Sequence, residues 1–180
     1  MTLVCTGHFT NVALLFAAYP DIPALLRRLV IMGGNFNAGA VEWNAMCDPV
    51  ATAVAFGCGN VSHPPLVRVF PGNATGRHHL PPDEGRRFMA GIPALRFCAA
   101  AAEYWYREGH DLYFHDPVAA VGAFHPGIAS YRRSCVTVDV ASRGHVDYAD
   151  EGADGAGPPL EIAQEIDFAK FAEIYLGVLR

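Results

Sequence analysis

Lysine is nearly absent from this sequence: Lys170 is the only one, and charged residues of all kinds fill 17% of the 180 positions. A polybasic tail or membrane-surface patch is thereby excluded. The net charge of −5 leaves no electrostatic footprint for nucleic acid. Long apolar runs are missing too. The stretch from Val12 to Tyr19 is soon followed by Pro20 and Asp21, well short of the roughly 20 residues that a spanning helix needs. The first residues lack the basic flank and small-residue cleavage site of a signal peptide. There is no C-x-x-C pair to suggest zinc or redox chemistry. Cys5, Cys47, Cys58, Cys98 and Cys135 are odd in number, widely spaced and set among apolar residues, and read as reduced core thiols in a cytoplasmic protein. The absence of G-x-S-x-G argues against a serine-type α/β hydrolase.

What the sequence has in quantity is apolar surface: 52% of residues are hydrophobic, more than a small soluble domain usually carries. A parallel sheet buried on both faces would account for this, as would apolar surface that belongs against something else. The length suits one domain with a substantial core. No internal repeat or linker divides it, so residues 1–180 read as one α/β unit.

Local patterning supports that class. Leu3-Val4-Cys5 reads as a buried strand, followed by a Gly-containing loop and an apolar helix from Asn11 to about Tyr19, which Pro20 stops. Pro23 opens a second amphipathic piece, Ala24 to Arg28. Leu29 to Met32 is a further apolar strand, closed by Gly33-Gly34. Strand, helix, strand with fully apolar strands implies a right-handed βαβ unit in a parallel sheet. Asp48-Pro49 gives an N-cap carboxylate followed by proline, ahead of a helix from Val50 to Phe56. Leu66 to Phe70 reads as a strand with Pro71-Gly72-Asn73 as its exit loop. Pro81-Pro82 opens a helical stretch that breaks near Gly91 and Pro93 and resumes to about Arg107. Asp116-Pro117 repeats the cap-and-proline signal ahead of Val118 to Phe124. Cys135 to Val140 alternates like a half-exposed strand, and Tyr148 to Pro159 reads as a mobile surface loop. A strand from Leu160 to Ala163 and a helix from Phe168 to Leu179 follow.

Three segments, taken together and in order, resemble one family. Thr6-Gly7-His8-Phe9-Thr10-Asn11-Val12-Ala13 is similar to a T-G-x-[LF]-T-N-[IV]-A pattern. Ile31-Met32-Gly33-Gly34, then Val41-Glu42-Trp43-Asn44, then Asp48-Pro49 resembles M-G-G…A-E-F-N…D-P, with tryptophan in place of phenylalanine. His115-Asp116-Pro117-Val118-Ala119 resembles H-D-P-x-A. All three belong to the inosine-uridine-preferring nucleoside hydrolases. The resemblance implies a mostly parallel central sheet with helices on both faces, incomplete at the N-terminus. It also implies hydrolysis of a ribonucleoside's N-glycosidic bond, a Ca²⁺ that binds the ribose diol and the attacking water, and homo-oligomeric assembly.

Residue by residue, the resemblance makes Asp116 a carboxylate ligand of the ion and Thr6 a ligand through its backbone carbonyl. It assigns Glu42 and Asn44 to the sugar hydroxyls, Met32 to packing beneath the ribose, and Asn37 to a further sugar contact. His115 would be the general acid toward the leaving base, since an imidazole carries a proton near neutral pH. This division of labour fits the chemistry, because an oxocarbenium-like sugar requires gripped hydroxyls, an activated water and a protonated leaving group.

The family's D-x-D-x-x-x-D-D motif has no counterpart in this sequence. The chain therefore reads as the C-terminal part of such an enzyme. Its Ca²⁺ site is expected to be incomplete and its activity impaired; the alternative is a non-catalytic remnant or pseudoenzyme serving as a binding or assembly module. Two other features carry competing readings. Tyr104-Trp105-Tyr106 can stack on a nucleobase or pack in a core, and His78-His79 reads as a loop feature without zinc-ligand spacing.

Overall fold

The computed structural model describes residues 1–58, 63–154 and 156–179. Along the chain come β1 (Thr2–Cys5), α1 (Thr10–Ala18), α2 (Ile22–Leu25), β2 (Arg28–Met32), α3 (Trp43–Cys47) and α4 (Pro49–Phe56). Next are β3 (Leu66–Phe70), α5 (Gly72–Thr75), β4 (His79–Leu80), α6 (Pro82–Met89), α7 (Arg96–Arg107), β5 (Leu112–Tyr113) and α8 (His115–Phe124). The remainder is β6 (Ala129–Asp139), β7 (His145–Ala149), β8 (Leu160–Ile166) and α9 (Phe168–Leu179).

The central sheet has the order β1-β2-β3-β8-β6-β7. β1, β2, β3 and β8 are parallel neighbours, while β6 pairs antiparallel with both β8 and β7. β4 and β5 form a separate antiparallel pair. The expected βαβ architecture is present, and the alternation along β2 shows how the sheet is covered. Leu29 and Ile31 face Phe9, Val12 and Phe16 of the α1 region together with Ala51, Ala55 and Phe56 of α4. Val30 and Met32 face Val118, Ala119 and Ala123 of α8 together with Phe171 of α9. Helices thus cover both faces, and the strand interior is apolar throughout. Each fully buried large side chain here contributes about 1.5–3 kcal/mol of transfer free energy.

One charged side chain interrupts that pattern. Arg68, in the middle of β3, is buried, and its Nε and Nη2 donate to Oε2 of Glu161 on β8 at 2.9 and 2.5 Å. Its Nη1 donates to the Gly122 carbonyl at 3.2 Å, and its guanidinium lies 4.6 Å from the centre of the Tyr131 ring. Arg28 donates to the next carbonyl, Ala123, at 2.7 Å. The C-terminal end of α8 is therefore held by two cations, the sign that the helix dipole favours there.

Several local expectations need correction. The second helical piece is the single turn Ile22–Leu25 rather than Ala24 to Arg28: Leu26 is already extended, and Arg28 opens β2. Gly72 and Asn73, read as an exit loop, begin the one-turn α5. β6 starts at Ala129 rather than Cys135, since its first half, from Ala129 to Ser134, pairs with β8. Tyr148 and Ala149 belong to β7, not to a loop, and residue 155 of that expected loop lies outside the described residues. The last strand runs on to Ile166. All five cysteines are free, but Cys47 and Cys98 are exposed, so only Cys5, Cys58 and Cys135 are core thiols. Burial pushes the Cys58 thiol up to about 12. No helix among the described residues is long and apolar enough to cross a membrane.

Candidate active site

The parallel strands β1, β2 and β3 all end at the same edge of the sheet, where open α/β folds place their ligands. Past β2, Gly34 adopts φ +78°, in the left-handed region that favours glycine, and a Cβ on Gly33 would come within 2.5 Å of the Phe9 ring. The Gly34 carbonyl accepts from Gly72 N at 2.8 Å, which ties the exit of β2 to that of β3. A cleft of about 500 Å³ opens over this edge. Thr6, Met32, Glu42, Asn44, His115 and Asp116 line it, with Trp43, Gly72, Trp105 and Tyr113 around them. Of the residues that the resemblance assigns to the site, only Asn37 is absent from the lining. It sits on an exposed turn, its N–H donating to Asn35 Oδ1 at 3.0 Å.

Glu42 is the N-cap of α3. Its Oε1 accepts from Asn44 N at 2.9 Å, and its Oε2 accepts from Ala45 N at 3.1 Å and from Gly34 N at 3.2 Å. An ionised carboxylate has about four lone-pair sites, so roughly one remains for a substrate hydroxyl. Burial pushes the Glu42 carboxyl above its ordinary value, against the pull of those three N–H groups; the nearby Asp116 charge adds to the rise. Asn44 is buried and donates from Nδ2 to the Met32 carbonyl at 3.2 Å and to the Met32 sulfur at 3.4 Å. The sugar-binding candidates are therefore locked together before any ligand arrives.

His115 and Asp116 begin α8. The helix starts one residue before Asp116, with Phe114 as an N-cap that offers no side-chain bond. Asp116 is thus not the expected cap, in contrast to Asp48, whose Oδ1 accepts from Ala51 N at 3.0 Å and whose Oδ2 accepts from Thr10. The Asp116 carboxylate has no hydrogen bond or ion pair among the described residues. Partial burial pushes its carboxyl above the ordinary aspartate value. His115 lies flat against Tyr113, with ring centres 5.2 Å apart and planes 1° from parallel, and Tyr113 in turn stacks on His79. Burial holds the His115 imidazole below its ordinary pKa. Its Nδ1 lies 2.7 Å from Oγ1 of Thr75, a fully buried residue of α5.

The aromatic triplet of α7 divides by face. Trp105 lines the cleft, with its indole N–H on the Asp111 carbonyl at 2.9 Å; Tyr106 is buried and Tyr104 is exposed. His78 and His79 part similarly. His78 stacks on Phe168, while His79 belongs to β4 and lies 2.6 Å from an Asp111 carboxylate oxygen. Thr75 and Tyr113 were not legible as site residues, since the Thr75–His115 contact spans 40 positions. Only the proximity of Tyr113 to the His115-Asp116 pair could have hinted at it.

The resident group implied by the resemblance was a calcium ion, which takes about six to eight oxygen ligands. The cleft offers one uncommitted carboxylate, Asp116, beside the exposed Thr6 and the nearly saturated Glu42. Among the described residues, no cluster of three or more His, Cys, Asp or Glu side chains is poised to hold a metal. These donors do not amount to a calcium site.

The fold matches solved nucleoside hydrolases. Over 97% of this chain the plant nucleoside hydrolase PpNRh1 superposes with a TM-score of 0.80 at 24% identity. The inosine-uridine preferring nucleoside hydrolase of Bacillus anthracis superposes over 99% with a TM-score of 0.77 at 22% identity. Residues 1–173 match the model of the inosine-uridine preferring nucleoside hydrolase family, and the chain belongs to that family. Among curated relatives, the pyrimidine-specific ribonucleoside hydrolase RihA of Klebsiella pneumoniae is 33% identical over 143 residues, which cover 71% of this chain and 43% of the relative. The non-specific ribonucleoside hydrolase RihC of Salmonella newport is 41% identical over 101 residues, covering 53% and 29% respectively. The chain thus spans less than half the length of these relatives, and 60% and 59% of the two solved chains.

Proposed function

We propose that the protein hydrolyses the N-glycosidic bond of ribonucleosides to ribose and free base, and that these residues form the sugar-and-base side of the catalytic cleft. One observation carries this reading: Met32, Glu42, Asn44 and His115, separated by up to 83 positions, converge on one cleft at the C-terminal edge of the parallel strands. Asn44 and the remaining acceptor site of Glu42 orient the sugar hydroxyls above Met32. As the C–N bond breaks, a proton on the His115 imidazole passes to the departing base, and the oxygen of water bonds to the sugar carbon while one water proton passes to solvent. Tyr113 and Trp105 flank the position of that base.

Calcium is proposed on family grounds, with Asp116 and Thr6 as its ligands on this side; further oxygens have to come from outside the described residues. Cytoplasmic placement rests on the five free thiols. Homo-oligomeric assembly rests on family resemblance and on exposed apolar side chains such as Phe97 and Phe124.

The test is release of reducing sugar from inosine and uridine. The 180-residue chain alone is expected to turn over very slowly, with or without calcium. In a protein carrying the missing carboxylates, His115→Ala should lower kcat at least about 100-fold with little change in KM, the range of general acid catalysis. Unchanged turnover by that variant refutes the role of His115. The commitment of Glu42 to backbone amides favours one second reading, a non-catalytic binding module. Calorimetry showing nucleoside binding without turnover in the carboxylate-complete protein would establish it.

A further inference from the structure

Thr75 stands between the Pro71 carbonyl and the His115 imidazole, and the positions of these neighbours fix where the protons lie. Its Oγ1 is 3.1 Å from the Pro71 carbonyl and 2.7 Å from His115 Nδ1. A hydroxyl has one proton to give. The Pro71 carbonyl, which also accepts the amides of Ala74 and Thr75, can bring no proton of its own, whereas a ring nitrogen can. If the hydroxyl donated to Nδ1, two oxygen lone pairs would face each other across 3.1 Å in a site where Thr75 is fully buried. The arrangement without such a conflict runs in one direction: Nδ1–H donates to Oγ1, and the hydroxyl donates to the Pro71 carbonyl. The hydrogen bond at one ring nitrogen sets the role of the other.

We infer that Thr75 is a positioning residue that holds His115 in the Nδ1–H tautomer, so that Nε2 is the atom that takes up and delivers the proton at the cleft. Nε2 has no hydrogen-bond partner among the described residues, while the ring plane is fixed by Tyr113 at 5.2 Å. The bond between Nδ1 and Thr75 leaves Nε2 as the ring nitrogen available to a substrate. The inference deepens the proposed hydrolase role of this cleft and rests on it for its catalytic meaning; the tautomer itself is a property of the folded chain.

The experiment is therefore done first on the 180-residue chain without substrate. Its histidine ring nitrogens are ¹⁵N-labelled, and His115 is assigned by loss of its signals in His115→Gln. At a pH well above the ordinary histidine value, long-range ¹H–¹⁵N spectra should show the Nδ1–H pattern for His115. Thr75→Val, which keeps the shape and removes the acceptor, should move the ring toward the Nε2–H form favoured by free histidine. Thr75→Ser should restore Nδ1–H. An Nε2–H pattern in the unsubstituted chain overturns the inference, even if Thr75→Val fails to fold, and so does a valine variant that keeps Nδ1–H. Hydrolysis is scored separately in the carboxylate-complete protein, where valine should lower kcat about tenfold or more and serine should recover most of it. The expected tautomers without any hydrolysis would sink the hydrolase reading and leave the positioning role standing. Hydrolysis with the wrong tautomer would do the reverse.

Discussion

Replacing Glu161 with alanine should cost more stability than replacing its partner Arg68 with methionine, although each change breaks the same ion pair. The two side chains are unequally buried: 6% of the Arg68 side chain is exposed, against 29% for Glu161. Without Glu161, a guanidinium remains beneath α8 with only the Gly122 carbonyl and the Tyr131 ring for company. Stranding a buried charge costs about 3–5 kcal/mol, and the partial exposure of the pair points to the lower end. Without Arg68, the Glu161 carboxylate can hydrate at the surface. What is lost is the carbonyl bond, about 1 kcal/mol, and the ring contact, at least about 0.5 kcal/mol. Apolar packing of methionine offsets part of this, leaving a cost of roughly 1–2 kcal/mol. The double variant Arg68→Met/Glu161→Leu should fall within about 1 kcal/mol of the parent, since a well-packed apolar pair replaces a buried ionic one at little cost. Urea unfolding measures all three. With a slope of about 2 kcal/mol per molar, Glu161→Ala should lower the midpoint by about 1.5 M. A larger loss for Arg68→Met, or single losses that simply add in the double variant, would refute the reasoning.

Other expectations follow from the same packing. Gly122→Ala places a methyl 2.1 Å from Cζ of the fully buried Phe70. Overpacking of about 1–3 kcal/mol should exceed the roughly 1 kcal/mol gain in helix propensity, so the thermal midpoint falls; a rise would show that α8 can shift freely. Cys47 and Cys98 should react with a thiol reagent in the native state, while Cys5, Cys58 and Cys135 react only on unfolding. Because burial raises Cys58 from 9.0 to about 12, its thiol supports the fold fully below 9.0 and loses that support as pH rises toward 12. Cys58→Ala should flatten the alkaline part of the stability–pH curve, and an unchanged slope would exclude Cys58 as a contributor. Glu42→Ala removes an N-cap and the tie to Gly34, and should cost about 1–2 kcal/mol of stability besides weakening nucleoside binding. Retention of both would show that other groups fix the loop.

The features legible in the sequence were those decided over a few residues or by burial on two sides. Leu29 to Met32 announced itself because both faces of β2 are covered by helices, so no polar residue interrupts the run. Asp48-Pro49 was readable because cap and helix are neighbours. The same local signal at Asp116-Pro117 misled by one position: the chain enters α8 at His115, and the carboxylate points its chemistry elsewhere. β7 stayed hidden, since His145–Ala149 carries alternating polar residues and exists through pairing with β6. Arg68 in β3 contradicts the apolar pattern of a central strand, and its partner is 93 positions away. For the cleft, the resemblance led to Thr6, Met32, Glu42, Asn44, His115 and Asp116, all in its lining, and to Asn37, which is not. Thr75 could not be found that way, because a hydroxyl next to an imidazole is a fact of tertiary structure.

The two arginines under α8 also set a mechanical tolerance for the chemistry at its other end. Seven to eight residues of helix separate the pinned Gly122 and Ala123 from His115, a lever arm about 11 Å long whose far end bears on Thr75 and Tyr113. A swing of about 5° about the pinned end carries the imidazole through about 1 Å, a misplacement that can cost a reaction about 100-fold. Substitutions around Arg28 and Arg68, remote from any substrate, therefore belong among those that can silence the cleft while the protein remains folded.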